Sequence, residues 1–418
     1  MLIYVWLYRC SIQLFALGLQ IAALWNIKAR LWLKGRKKWQ QQLEQKISST
    51  TSNIWVHCAS LGEFEQGRPI IEVLKKKYPD TKIILTFFSP SGYEIQKKYA
   101  YVDMVMYLPL DTPSNAKYFI RLVQPQLAIF VKYEFWYEYL KTLHQQNIPT
   151  LLVSALFQKR HIFFKWYGSF FRKMLNMFEH IFVQNESSLQ LLQSIHINNA
   201  SVSGDTRLDR VLSIASTKIH LPIIEQFCDN RKVIVAGSTW PEDDTILEKA
   251  TSQIADLAWI IAPHELNADK ITQLQLRWPN SILYSSILKD FSINPSHYTT
   301  LIIDNMGILS SVYHYATIAY VGGGFGKAGI HNILEPAAHG KPIIFGPIFY
   351  QFAEAETLLK MGGAITIKNA SSFIQSITHL LNDEVYSKNI SNVAQNYVQT
   401  HANATTKILN YISRRNLF

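Results

Sequence analysis

Short apolar runs alternate along most of this chain with longer stretches in which apolar residues return every three or four positions. The runs "IWVHC", "KIILTFF", "MVMYLP", "LAIFV", "TLLVSA" and "HIFVQN" have strand length, and segments such as "IIEVLKKKYP" between them have helical spacing. Strands that alternate with helices predict a parallel sheet covered by helices. A more polar stretch, holding "GDTRLDRV" and Pro222, interrupts the rhythm. It then restarts with "KVIVAGS", "AWIIAP", "SILYSS", "TLIIDN", "IAYVGG", "PIIFGP" and "AITI". The expected fold is therefore α/β, with two doubly wound parallel-sheet domains at residues 54–205 and 231–418 and a linker at 206–230. Ligands of such sheets bind beyond the carboxyl ends of the strands, so paired domains are expected to face a cleft.

The N-terminus follows neither pattern. Residues 1–27 are almost wholly apolar, interrupted by Arg9, Gln13, Gln20 and Asn26. As a helix they would measure roughly 40 Å at about 1.5 Å per residue, enough to cross a bilayer. A span, a helix lying in the interface and a buried first helix all fit this pattern. Lys28, Arg30, Lys34, Arg36, Lys37 and Lys38 follow within eleven residues, in an expected basic linker at 28–53. A signal peptide carries its charges before the apolar run, not after it. The positive-inside rule puts the rest of the chain on the cytoplasmic side of the membrane.

Composition narrows the class. With 418 residues, 48% hydrophobic and 17% charged, the chain is globular and long enough for two cores. Its net charge of +11 would suit nucleic acid or anionic lipid. The apolar segment in front of the basic cluster selects an anionic membrane surface and argues against nucleic acid. Cys10, Cys58 and Cys228 are too few and too scattered for a disulfide framework, and no metal-ligand spacing or Asp-x-Asp is present.

Chemistry is expected at strand ends. The first strand leads through "HCASLGEFEQGRP" to Glu63 at a helix start, where a carboxylate either faces the cleft or only complements the helix dipole. The fourth strand runs into "VKYEFW", with Lys132 and Glu134, and Arg207 lies in the linker. In the second domain "AGSTWPEDD", "APHE" and "DNMG" follow strands. "VGGGFGKAGIHNILEPAAHGKPIIFGP" opens with five glycines in nine residues, and Gly324, Gly326 and Gly329 spell G-x-G-x-x-G. A dinucleotide fingerprint needs an acid about 20 residues on, at the end of the next strand. That strand, "KPIIFGP", ends without one; the acid is Glu335, inside the helix. The loop is either a turn packing a helix on a sheet or a phosphate cradle with unpaired N–H groups at Gly323, Gly324 and Gly326.

Taken together, "WVHCASLGE", "TFFSPSGYE", "YEFW", "VQNE", "SGDTRLDRV", "DNMG" and the glycine-rich stretch resemble the 3-deoxy-D-manno-octulosonic acid (Kdo) transferases of lipopolysaccharide synthesis. The resemblance covers nearly the whole chain. It implies a GT-B-like fold with an N-terminal membrane anchor, and an inverting glycosyltransferase that moves Kdo from CMP-Kdo to the lipid A precursor without metal or cofactor. It makes Glu63 the general base. It places CMP against Pro263 and His264, against Met306, Gly307 and Ile308, and against Asn332, Ile333, Leu334 and Glu335. This chain departs from the family in three places. Lys132 stands where many relatives have an acid, Arg207 where they have lysine, and Pro263-His264 where they have Pro-Arg, which leaves the transition-state roles of Lys132 and Arg207 open. The alternative is another GT-B enzyme that uses a UDP-sugar and a lipid-linked acceptor.

Overall fold

The computed structural model describes residues 2–46, 53–217 and 220–418, and the chain divides into two units, Met1–Asp209 with Asn403–Phe418, and Arg210–Ala402. Residues 47–52 of the expected basic linker and 218–219 of the expected second linker lie outside the described residues.

The first unit holds strands β1 (Asn53–Cys58), β2 (Lys82–Phe87), β3 (Met104–Tyr107), β4 (Pro125–Val131), β5 (Thr150–Ala155), β6 (His180–Val183) and β7 (Ala200–Val202), in the order β3-β2-β1-β4-β5-β6-β7. Every pairing is parallel. Helices cover both faces, which is why β1 and β4 are apolar almost throughout instead of alternating. Local signals set the helix ends. In Pro113–Val123 the Thr112 hydroxyl accepts from Asn115 N at 3.3 Å, Pro113 opens the first turn and Gln124 closes the helix at φ +43°. β7 was not among the sequence-predicted strands. Its three residues are only half-buried and carry no apolar run.

The second unit repeats the design with β8 (Lys232–Thr239), β9 (Leu257–Pro263), β10 (Ser281–Leu283), β11 (Thr300–Ile302), β12 (Ile318–Val321), β13 (Ile343–Phe345) and β14 (Ile365–Thr366), ordered β10-β11-β9-β8-β12-β13-β14 and again all parallel. Each sheet has a switch point where neighbouring strands continue in opposite directions, between β1 and β4 in the first unit and between β8 and β12 in the second. Those switch points are where an open sheet leaves room for a ligand.

Two expectations about the chain's divisions differ from what is observed. The second expected domain ran to 418, but the helix Ala404–Arg414 packs Ile408, Leu409 and Ile412 into the first unit's core. Asp209 holds its start through the N–H groups of Asn403 and Thr405. The basic stretch is not an extended linker. It forms the helices Ile27–Gly35 and Trp39–Lys46, and Arg36 turns inward, stacked 3.6 Å over Trp32 and donating to the Leu108 and Phe88 carbonyls. Burial pushes that guanidinium down to about 9.

The apolar N-terminal segment is the helix Leu2–Ala22, and among the described residues it is the only helix long and apolar enough to cross a membrane. One stripe of it is docked. Tyr8 donates to Asp111 at 2.5 Å, Arg9 pairs with Glu138 at 2.8 Å, and the ring of Phe15 lies 5.8 Å from that of Phe88. The remaining surface, with Leu2, Ile3, Trp6, Leu7, Leu14, Leu17 and Ile21, is exposed.

Candidate active site

At the first unit's switch point β1 runs into the helix Leu61–Lys77, with Ser60 at its N-cap and Glu63 in its first turn. The Ser60 hydroxyl donates to the Glu63 carboxylate, which stays partly exposed beside the unpaired N–H groups of the helix start. Gly62 has no packing reason to be glycine. A Cβ there would meet only the Ser60 hydroxyl, at 3.8 Å, and its φ is not positive. The site therefore offers a carboxylate with room beside it.

β4 delivers Lys132 in the left-handed region, φ +68°, its N–H held by the Val153 carbonyl at 2.9 Å. Backbone strain of this kind gathers at functional sites. Its ammonium lies 5.5 Å from the Tyr133 ring centre. Glu134, expected at the strand end beside Lys132, is instead buried. Its carboxylate meets His57 Nε2 at 2.9 Å and accepts from Trp136 Nε1 at 2.7 Å, and His57 Nδ1 reaches the Thr86 hydroxyl at 2.8 Å. This network ties β1, β2 and the segment after β4 together. The one trace of it in the sequence is a histidine inside the apolar run "WVHC".

Arg207 opens the helix Thr206–Ser216, and its guanidinium grips Asp205 Oδ2 at 2.9 and 2.6 Å. Elsewhere in the same unit Asp111 is buried and accepts from the N–H groups of Glu138 and Tyr139 as well as from Tyr8. Burial raises its carboxyl to about 6.

In the second unit the glycine stretch departs from the expected cradle. The N–H groups of Gly322, Gly323, Gly326, Gly329, Ile330 and His331 are all given to protein acceptors. A Cβ on Gly322 would lie 2.4 Å from the Ser238 carbonyl, and one on Gly324 would lie 2.7 Å from the Gly346 Cα. Gly323 and Gly329 need positive φ, +90° and +80°. Most of these glycines are therefore there so that one backbone can lie against another. Of the three nominated for a phosphate, only Gly326 leaves open space, its nearest atom being the Gly323 carbonyl at 3.6 Å.

The helix that follows is only Leu334–Ala338, too short for its dipole to dominate, and its first N–H is taken by Asn332 Oδ1 at 3.1 Å. Asn332 also donates to Glu335 Oε1 at 3.1 Å. Ile333 and Leu334 bury their side chains, so any ligand would meet them through backbone alone. After β11, Met306 is exposed, Gly307 has φ +96° with open space around it, and Ile308 starts the short helix Leu309–Val312. The neighbouring Asn305 Oδ1 is buried without a partner among the described residues.

Pro263 is buried at the end of β9, and His264 stands exposed beyond it. Its ring stacks on Trp240 at 4.7 Å and on His331 at 4.3 Å, and Trp240 Nε1 donates to His331 Nε2 at 2.9 Å. Below them Asp243 is buried, accepting from Tyr320 Oη at 2.6 Å, Gly323 N at 2.8 Å and Trp240 N at 2.9 Å. Burial raises its carboxyl above the usual range. The sequence reading missed Trp240, Asp243 and His331. The position of "STWPEDD" after a strand pointed toward Trp240 and Asp243, and His331 lies in the glycine-rich stretch itself.

Residues 33–210 match the family described as 3-deoxy-D-manno-octulosonic-acid transferase (kdotransferase). Over longer spans the chain is 28% identical to the 3-deoxy-D-manno-octulosonic acid transferase of Rickettsia felis, across 89% of this chain and 81% of that one. It is also 28% identical to the enzyme of the same name from Aquifex aeolicus, across 81% and 88%. Among solved structures, UDP-GlcNAc 2-epimerase from Neisseria meningitidis superposes with a TM-score of 0.60 at 16% identity, covering 87% of this chain and all of that one, a likeness of fold alone, which is GT-B-like.

Proposed function

We propose that this chain, which carries the Kdo transferase family domain and is related to Kdo transferases over most of its length, transfers Kdo from CMP-Kdo to the lipid A precursor with inversion and without a metal. The observation that carries the reading is Glu63. It is a partly exposed carboxylate at the switch-point end of β1, inside the family-matched segment, with open space at Gly62 beside it. In that role Glu63 takes the proton from the acceptor sugar hydroxyl as oxygen attacks the anomeric carbon from the face opposite the leaving CMP, which inverts the configuration. Lys132 at the end of β4 and Arg207, oriented by Asp205, are the cations proposed to support charge that develops as CMP departs.

The second unit is proposed to hold CMP through His264, the Met306–Gly307–Ile308 backbone, and Asn332 and Glu335. A single departing phosphate carries less charge than a diphosphate, so fixed donors and a side-chain cation suffice to stabilise it. Among the described residues no three His, Cys, Asp or Glu side chains gather as metal ligands would.

The helix Leu2–Ala22 is proposed to rest in the cytoplasmic face of the inner membrane. A span would have to release the stripe of Tyr8, Arg9 and Phe15 from Asp111, Glu138 and Phe88, whereas a helix lying in the interface keeps it and offers the exposed Leu and Trp side chains to lipid. Lys28, Arg30, Lys34, Lys37 and Lys38 are exposed beside it for anionic headgroups.

Mass spectrometry of the product formed from CMP-Kdo and lipid A precursor tests the reading. A mass increase by one or more Kdo units supports it. No product with CMP-Kdo, together with stabilisation of the protein by UDP but not by CMP, would favour a UDP-sugar transferase instead.

A further inference from the structure

Thr206, the residue before Arg207, is fully buried although its side chain is polar. Its hydroxyl lies 2.6 Å from the Gln66 carbonyl and 2.9 Å from Ser154 Oγ. A threonine hydroxyl has one hydrogen and a carbonyl can only accept, so Thr206 donates to Gln66 and Ser154 donates to Thr206. The bridge therefore runs one way, from Ser154 through Thr206 to Gln66, and joins residues 52 and 140 positions apart.

Each end of the bridge sits beside a part of the candidate site. Gln66 comes three residues after Glu63, one turn further along the helix Leu61–Lys77. The helix holds that turn weakly by itself, because Pro69 has no N–H to return to the Glu65 carbonyl. The turn is seated on the sheet at Gly67, where a Cβ would meet Cys58 Sγ and Val131 Cγ2 at 3.1 Å. Ser154 has φ +53°, and the pairing of β5 with β6 shifts register between Leu152 and Ala155. An irregularity of this kind re-aims a side chain, and here the re-aimed group is the hydroxyl that reaches Thr206. On the other side of Thr206, Asp205 accepts from the Arg207 N–H at 2.9 Å and from its guanidinium. Asp205 thus sets how Arg207 points, but it belongs to the same short segment. Thr206 ties that segment to the helix of Glu63.

We propose that Thr206 is a positioning residue of the transfer reaction, whose bridge from Ser154 to Gln66 fixes the Arg207 guanidinium in place relative to the Glu63 carboxylate. This rests on the reading that Glu63 and Arg207 serve the transfer. A base and a cation that act on two substrates in one step have to keep their separation through it, and a misplacement of about 1 Å costs about 100-fold in rate. In this role Thr206 touches neither substrate.

Steady-state kinetics of Kdo transfer by the full chain, run as a double-mutant cycle, tests the proposal. Thr206→Val keeps the shape and removes the bridge, so kcat should fall about 10-fold or more while KM for CMP-Kdo and for the lipid A precursor stays within about 2-fold of native. Thr206→Ser keeps the hydroxyl and should recover most of the loss. Arg207→Ala should lower kcat by itself, and Thr206→Val should then cost nothing further, because no guanidinium is left to misplace. Should Thr206→Val not fold, Ser154→Ala takes its place. It leaves Thr206 bonded to Gln66 and should lower kcat about 3-fold with Arg207 present and not at all without it. Native kcat in the bridge variant, or the same fractional loss with and without Arg207, overturns the proposal; the second result is what a contact serving stability alone would give. Native kcat in Arg207→Ala overturns the role of Arg207 itself, and the role of Thr206 falls with it.

Discussion

At the end of β1 a side chain on Gly62 would meet one hydroxyl at 3.8 Å, whereas at the end of β12 a side chain on Gly324 would run into the Gly346 backbone at 2.7 Å. Both glycines stand at switch points of parallel sheets, where ligands bind. Glycine is used for opposite reasons in the two places. Around Gly324 the chain needs its own backbone to come close, and the N–H groups of that stretch are mostly given to protein acceptors. Around Gly62 nothing in the first unit occupies the space, so the missing side chain leaves room for something the chain does not supply. A crowd of glycines is thus a weaker pointer to a ligand than one glycine whose surroundings are open.

The largest effect that would sharpen this contrast is chemical. Glu63→Gln should leave melting unchanged and slow transfer by about 100-fold or more, the range that general-base catalysis contributes. Near-normal turnover by the folded variant would break the assignment of the open strand end as the reacting one.

Next comes the pair of glycines. Gly324→Val should cost about 3 kcal/mol of stability by forcing apart two backbones, seen as a lower melting temperature of the second unit. Gly62→Val should leave stability within about 0.5 kcal/mol of native. It should still slow transfer about 10-fold or more, because the side chain would fill space needed by substrate. A destabilised Gly62→Val protein, or a Gly324→Val protein that melts normally but no longer binds CMP, would reverse the comparison.

The smallest effect concerns a feature the two units share, a buried carboxylate serving several donors: Asp111 in the first and Asp243 in the second. Burial raises the Asp111 carboxyl from its ordinary 3.8 to about 6. The folded state therefore holds a proton that the unfolded state has released, and the stability this contributes is present below about pH 4 and lost as pH rises through about 6. Between those values native stability should fall by about 2.5 kcal/mol relative to Asp111→Asn, at about 1.4 kcal/mol per unit. Denaturant titrations of both proteins across that range check it; parallel curves would mean Asp111 is not the group involved.

Much of the architecture was legible because its signals are local. Among the described residues, thirteen of the fourteen strands stand out as apolar runs, and the fourteenth, Ala200–Val202, was hidden because it is a short, half-buried edge. Glu63 could be nominated because a strand followed at once by a helix start is readable from neighbouring residues. Glu134 could not be judged in the same way. Its burial depends on His57, which lies 77 positions away and is brought to it by β1 pairing with β4. The stack of Trp240, His264 and His331 is of the same kind, with 91 positions between Trp240 and its hydrogen-bonded partner.

By itself the sequence determined the two parallel sheets, the apolar N-terminal helix and the strand ends where polar groups gather, since hydrophobic periodicity and capping act over a few residues. Only the tertiary structure decided which of those polar groups are available. Strand order sets which distant residues meet, and a backbone or side-chain group already satisfied by such a neighbour has little left to offer a ligand. On that ground Glu134 and most of the glycine stretch became scaffold, while Glu63, Gly62 and His264 kept an open side.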